Sequence, residues 1–398
     1  MSATGAVPIL MYHSVGRVLA DWRWSDLTTP ADVFEDHLRA LRRAGYRSAS
    51  LQEWHRHATG QAPLPDKSVV LTFDDGYVDN WCYAAPLLER YGFTGTVLVT
   101  PEFVPPGDEV RPTMRDVWAG RLREDELPVR AFMSWEELRR ASGLLDVQCH
   151  GMTHTWYETS DEIVDFHHPG DPYYWLGWNA EPARKPFYLE KPGESPAPLG
   201  IPVYAHDKSL SGRRYLPDPG VSSRLAAFVA ERGGDAFFAR EDWRGELRRE
   251  WESLRATRGE GGRMETDDEY RARFTREIVE SRRVIEERIG RPVEFLVWPA
   301  GGYNDDAVAL ARQHYRAVTA SSKDRRQFRN RPGENPGLIV RRGVPELAVG
   351  KKTVVAPGDY LVDFLDEFRG NAWARRRRQV RKLCYIAAGR AGLWPRAS

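Results

Sequence analysis

The sequence predicts an α/β fold built on a parallel sheet or barrel, and three observations carry that prediction. Short apolar runs that read as buried strands alternate with stretches of helical periodicity. Carboxylates, imidazoles or glycines follow several of those runs directly. The 398 residues are 41% hydrophobic and 29% charged, which supports a substantial core and argues against global disorder.

The elements follow in order. Val7–Tyr12 reads as a strand. Thr29–Ala44 places Val33, Phe34, Leu38 and Leu41 at helical spacing and stops at Gly45. Ser68–Phe73 is an apolar strand running into Asp74-Asp75-Gly76. Asn80–Tyr91 reads as a helix ended by Gly92, and Gly95–Thr100 as the next strand. Ser134 and Glu137 form a capping box that opens a helix before the strand Leu145–Cys149. The rhythm then breaks from about Thr155 to Asp267. This stretch holds the aromatic run Tyr173, Tyr174, Trp175 and Trp178, a segment rich in Pro and Gly, and a charged helix near Glu241–Arg258. A structureless loop of that length is improbable in a compact domain, so it is expected to carry structure of its own. The rhythm resumes with a helix over Asp268–Ile289, a strand over Val293–Trp298, a helix over Asn304–His314, a strand over Ala317–Ala320 and a helix over Tyr360–Phe368. The expected division is therefore a barrel in 1–154 and 268–368, an insertion in 155–267 acting as substrate lid or small subdomain, and a basic tail in 369–398.

Lys and Arg total 58 against 57 Asp and Glu, so there is no global pull toward nucleic acid, and no nucleic-acid partner is expected. Cys82, Cys149 and Cys384 are too sparse for a disulfide framework and lack metal spacing. Met1–Val7 has no basic segment leading into an apolar core, so a cytoplasmic location is expected. The tail carries nine Lys or Arg and no acid, with Trp373, Val380, Leu383, Ile386 and Leu393 among them. It reads either as a basic amphipathic helix at an inner membrane face or as a solvated helix.

Four motifs carry chemistry. Asp74 and Asp75 end an apolar strand, where ligands gather in parallel α/β folds, and adjacent side chains there point different ways. A helix cap and a turn would explain the same pair. His150 and His154 follow another strand, and two imidazoles with one carboxylate make a sound catalytic zinc set. Phe295–Asn304 passes through Trp298-Pro299-Ala300-Gly301-Gly302, where backbone N–H groups could face a ligand, although a plain strand-to-helix turn capped by Asn304 also accounts for it. His13 ends the first strand.

Together these motifs resemble the polysaccharide deacetylases of carbohydrate esterase family four, the NodB-type enzymes. Thr72-Phe-Asp-Asp-Gly76 resembles the first family motif, His150-x-x-x-His154 the second, and Trp298-Pro-Ala-Gly-Gly302 the third. Met11-Tyr-His-Ser-Val15 resembles the branch acting on poly-N-acetylglucosamine, in which the motif bearing the catalytic acid sits at the start of the chain. The resemblance implies a distorted (β/α)7-type barrel. It implies that Asp75, His150 and His154 bind a divalent metal, with zinc the first choice. It implies Asp74 as general base, His13 as general acid, and Tyr77, Trp298, Pro299, Ala300 and Gly301 around the oxyanion and substrate. The implied reaction removes an acetyl group from an N-acetylated glycan or sugar conjugate. Alternatives are an O-deacetylase, an amidase or imidase on a non-sugar substrate, and a silent carbohydrate-binding barrel. Two departures stand out. Gly151 replaces the usual Ser or Thr, leaving Thr153 as a substitute support. The arginine that orients the base in the family is missing from the third motif, and nearby Arg291 does not align with it.

Overall fold

The structure, a computed structural model, describes residues 5–179, 181–190, 197–258, 261–320, 326 and 328–391. Its centre is a ring of parallel strands: β1 (Ile9–Tyr12), β2 (Ser68–Asp75), β3 (Gly95–Val99), β4 (Leu145–Cys149), β5 (Phe295–Leu296), β6 (Ala317–Thr319) and β7. Strand β7 is two consecutive segments, Leu338–Ile339 and Arg341–Gly343, interrupted only at Val340. The first segment pairs with β6 and the second with β1, so eight strand segments close into seven staves. The fold is thus a distorted (β/α)7-type barrel.

Side chains of a barrel strand alternate between lumen and outer layer. Ile9, Val70, Phe295, Ala317 and Ile339 pack in one cluster with Leu51 and Trp54 of the helix Leu51–Ala58. The outward positions Leu10, Leu71, Phe73, Val97 and Val147 bury against helices that return the chain between strands. Among these, Ala31–Arg43 presents Phe34, Leu38 and Leu41, while Ser281–Ile289 presents Ile285 and Gly358–Phe368 presents Leu361 and Leu365. In β2 the same alternation that puts Val70 in the lumen also puts Thr72 and Asp74 there.

Three elements differ from expectation. The strand expected over 293–298 contributes only Phe295–Leu296 to the ladder, because the Trp298 N–H turns to the Thr319 hydroxyl (3.1 Å) instead of a strand partner. The helix expected over 268–289 is split into Asp267–Thr275 and Ser281–Ile289 by a widened π-type turn at Arg276–Glu280. Such a turn re-aims a side chain, here Glu277. A second wide turn, Asn80–Ala84, opens the helix that ends at Tyr91.

The insertion has a core of its own. Ile163, Phe166, Val221, Leu225, Phe237, Leu247 and Trp251 bury together, joining the antiparallel pair Trp156–Phe166 and Pro202–Lys208 to the helices Pro219–Glu231 and Trp243–Arg258. After the barrel, Ala372–Arg390 is one helix in which only Ala374 is buried. Tail residue Leu393 lies outside the described residues, and among the described residues no helix is long and apolar enough to cross a membrane.

Candidate metal and catalytic site

All the polar motifs meet at the carboxyl ends of the staves. Asp75 Oδ1 lies 3.4 Å from His150 Nε2 and 3.4 Å from His154 Nε2. That exceeds an ordinary hydrogen bond, and among the described residues this buried oxygen has no hydrogen-bond partner. It matches ligand atoms sharing one tetrahedral ion, which bonds of about 2.0–2.1 Å place roughly 3.4 Å apart. His150 Nδ1–H donates to the Val297 carbonyl at 2.9 Å, which leaves Nε2 bare and aimed at the site. Asp75 and His154 both hold positive φ, 71° and 50°, a strained backbone retained at the point where their side chains converge. Burial pushes the Asp75 carboxyl up, but the two imidazoles outweigh it and hold it well below the usual range.

Asp74 points the other way, into the lumen. Arg341 of β7 grips it with both guanidinium nitrogens, 2.5 Å to Oδ1 and 2.8 Å to Oδ2, and also donates to the Thr72 hydroxyl at 3.2 Å. Burial raises the Asp74 carboxyl, and Arg341 first, then His150 and His13, bring it below its ordinary value. Its Oδ2 lies 3.8 Å from His13 Nε2. An arginine thus holds Asp74, and it comes from β7 rather than from the third motif. Arg291 is not near the site; it donates to the Ser142 carbonyl on the outside. A strand-like run Leu338-Ile-Val340 ending in Arg341 repeats the pattern of the other motifs, and that signal could have found it.

The loop between the two histidines is clamped from below. The buried Glu277 accepts from the Met152 and Thr153 N–H groups (3.0 and 3.1 Å), from the Thr153 hydroxyl and from Ser209 of the insertion (2.8 Å). Lys185, also from the insertion, donates to the Thr153 carbonyl at 3.2 Å, to the Thr155 hydroxyl at 2.7 Å and to Glu102. Gly151 sits at φ 75°, and a Cβ there would meet Pro299 Cγ at 2.8 Å. A side chain in the usual Ser or Thr position is excluded by that contact, and Thr153 carries the support instead.

The third motif behaves differently from expectation. Pro299 has no N–H and packs on Gly151 rather than lining the cavity. The Trp298 N–H is taken by Thr319, and the Gly301 N–H by the Trp298 carbonyl at 3.0 Å. These groups are not donors to an oxyanion; Trp298, Ala300 and Gly301 contribute wall instead. The Tyr77 N–H has no hydrogen-bond partner among the described residues, and burial raises the Tyr77 hydroxyl well above its ordinary value, keeping it protonated.

The site lies in a cavity of about 410 Å³, walled by Trp24, Phe103, Trp156, Trp175, Trp178 and Tyr188. The aromatic run of the insertion lies at the barrel mouth: Tyr174 and Trp178 bury against Tyr77, Phe103 and Phe132. The insertion core forms without them. The adjacent pair His167-His168 of the insertion is not a surface pair. His167 is buried and bonds Asp171 at 3.0 Å, while His168 lies 5.2 Å from the Trp243 ring.

Residues 61–165 match the family model described as Polysaccharide deacetylase. Over these residues the chain is similar to polysaccharide deacetylases. It is 36% identical over 93 residues to the Bacillus subtilis (strain 168) protein YxkH, which is named for this family, covering 23% of this chain and 31% of that one. It is 30% identical over 149 residues to the poly-beta-1,6-N-acetyl-D-glucosamine N-deacetylase of Escherichia coli (strain K12), covering 37% of this chain and 20% of that one. The chain spans less than a third of the length of either relative. The BpsB deacetylase domain from Bordetella bronchiseptica superposes with a TM-score of 0.49 at 19% identity, over 86% of this chain and 97% of that one. The matched domain holds Asp74, Asp75, His150 and His154 but ends before Trp298 and Arg341.

Proposed function

We propose that this chain is a metal-dependent hydrolase that removes the acetyl group from an N-acetylated amino sugar of a glycan or glycan precursor. The observation that carries this reading is the unpartnered Asp75 Oδ1, 3.4 Å from two histidine nitrogens, beside an Asp74 held ionised by Arg341. Asp75, His150 and His154 would hold the ion, zinc first among the candidates. Bound there, it would supply Lewis acidity toward an acetyl carbonyl and make water a competent nucleophile at neutral pH. Asp74 takes the proton from the attacking water; its ionised state and its place in the cavity fit that role. His13, 3.8 Å from Asp74, delivers a proton to the sugar nitrogen as the C–N bond breaks. The Tyr77 N–H supports the oxyanion.

The exposed Trp373, Val380 and Leu383 of the last helix suit contact with an anionic lipid surface, which would place the enzyme at the inner face of a membrane. Arg377, Arg378 and Arg381 are paired with Asp363, Glu367 and Asp359, so apolar contact carries more of this than charge. Pull-down with anionic vesicles at low and high salt tests it, and absence of binding at low salt ends it.

The deacetylase reading is tested by acetate release from N-acetylated sugars and glycans, using protein stripped by chelator and reloaded with zinc. Release that follows the metal is expected. Metal bound without release from any substrate would overturn the reading.

A further inference from the structure

A polymer lying across the end of a barrel needs a groove open at both ends. In this chain the insertion lies against three separate barrel loops around the mouth. At the loop after β1, Trp24 meets Tyr174 and Trp175, with ring centroids 5.4 and 5.8 Å apart. At the loop after β3, Phe103 meets Trp178 edge-on at 5.4 Å. At the loop after β5, the stem of Lys208 lies on Gly302 so closely that a Cβ there would fall 2.8 Å from Lys208 Cδ, and its ammonium stands 4.4 Å over the Trp156 ring. Trp156 and Trp175, 6.3 Å apart, continue the fence between the first and last of these contacts. The Lys185 and Ser209 bonds then tie the same segment to the floor of the site. The cavity volume, about 410 Å³, is near the small end of the roughly 300–1,000 Å³ range of small-molecule sites.

Resting on the deacetylase reading, we infer that the substrate enters end-on: the site takes a single N-acetylhexosamine, free of further sugars on the side that enters, and not an internal unit of a threaded polymer. The aromatic walls cover the apolar faces of that one ring, and the acetamido group reaches Asp74, Asp75 and His13 at the base. Whatever the sugar is attached to projects out of the mouth. The substrate class is therefore a terminal N-acetylhexosamine, as a monosaccharide conjugate or at a chain end.

The test is metal-loaded enzyme on a methyl glycoside of N-acetylglucosamine, on short oligomers of the same sugar and on the long polymer, with mass spectrometry locating each lost acetyl group. The expected result is loss from the monosaccharide glycoside and from one end unit of each oligomer, with internal units untouched. Trp24→Ala and Trp175→Ala, which remove the two rings that meet at the loop after β1, should lose this terminal preference. Deacetylation of internal units by the unaltered enzyme, at rates rising with chain length, would overturn the inference while leaving the deacetylase reading intact. No loss of acetyl from any of these sugars, with metal bound, would overturn both.

Discussion

The bidentate grip of Arg341 on Asp74 makes a prediction with a calculable size. Arg341→Met keeps much of the side-chain bulk and removes the charge. The guanidinium and carboxylate charge centres stand about 4 Å apart, and at an effective dielectric of about 20 that separation is worth about 4 kcal/mol. Removing one member of a buried pair typically costs about 3–5 kcal/mol, which agrees. The melting temperature should therefore fall by about 5 °C. The sign of the pH effect follows from Asp74. Its carboxyl is held below the ordinary value in the folded enzyme, so the stability it contributes is present above the unfolded carboxylate value and is lost as pH falls through the folded one. Without Arg341, burial acts against only His150 and His13, and the carboxyl rises. Acetate release measured across pH should then show its acid limb moved upward, with the variant weakest at low pH and partly recovering as pH increases. Arg341→Lys, which retains charge but not the two-pronged geometry, should fall between the two. A folded Arg341→Met enzyme whose acid limb coincides with the parent's would refute the role assigned to the pair.

Other expectations follow from the same geometry. Asp75→Ala should lose both metal and activity, while Asp74→Asn keeps metal and loses turnover by about 10²–10⁴-fold; metal content and acetate release together separate them, and full activity in Asp74→Asn would sink the base assignment. Lys185→Met should weaken metal binding by roughly 10–100-fold in chelator competition with helix and strand content unchanged, because it frees the Thr153 carbonyl beside His154. Glu277→Gln should act in the same direction by loosening the 151–153 loop. Asp79 is buried, and burial raises its carboxyl to about 6 despite the Ser14 hydroxyl that bonds it. A raised carboxyl favours the folded state below its unfolded value and loses that advantage as pH climbs through about 6, a difference of about 3 kcal/mol. Asp79→Asn should thus melt higher than the parent at pH 7.5 but equally at pH 4, and an identical difference at both would count against it.

Much of the site was legible in the sequence because its chemistry is written next to strand ends. An apolar run ending in Asp-Asp, a second ending in His-x-x-x-His, and a first strand ending at His13 each carry their reactive groups within a few residues of the element that positions them. The alternation of strands and helices determined the parallel barrel for the same local reason. The aromatic run was legible as an unusual cluster, but not its destination, since periodicity says that rings are buried and not against what. The partner that holds Asp74 required the tertiary structure: Arg341, 267 positions away, reaches Asp74 only because β7 bridges β6 and β1 and closes the ring. Glu277 is aimed at the histidine loop by a wide turn inside an otherwise regular helical sequence, and Lys185 arrives from an insertion with no motif at all. Local patterns determined which groups could react. Contacts between distant segments decided which group grips Asp74, what braces the histidine loop, and which rings wall the barrel mouth, because those depend on ring closure and side-chain packing that no stretch of sequence contains by itself.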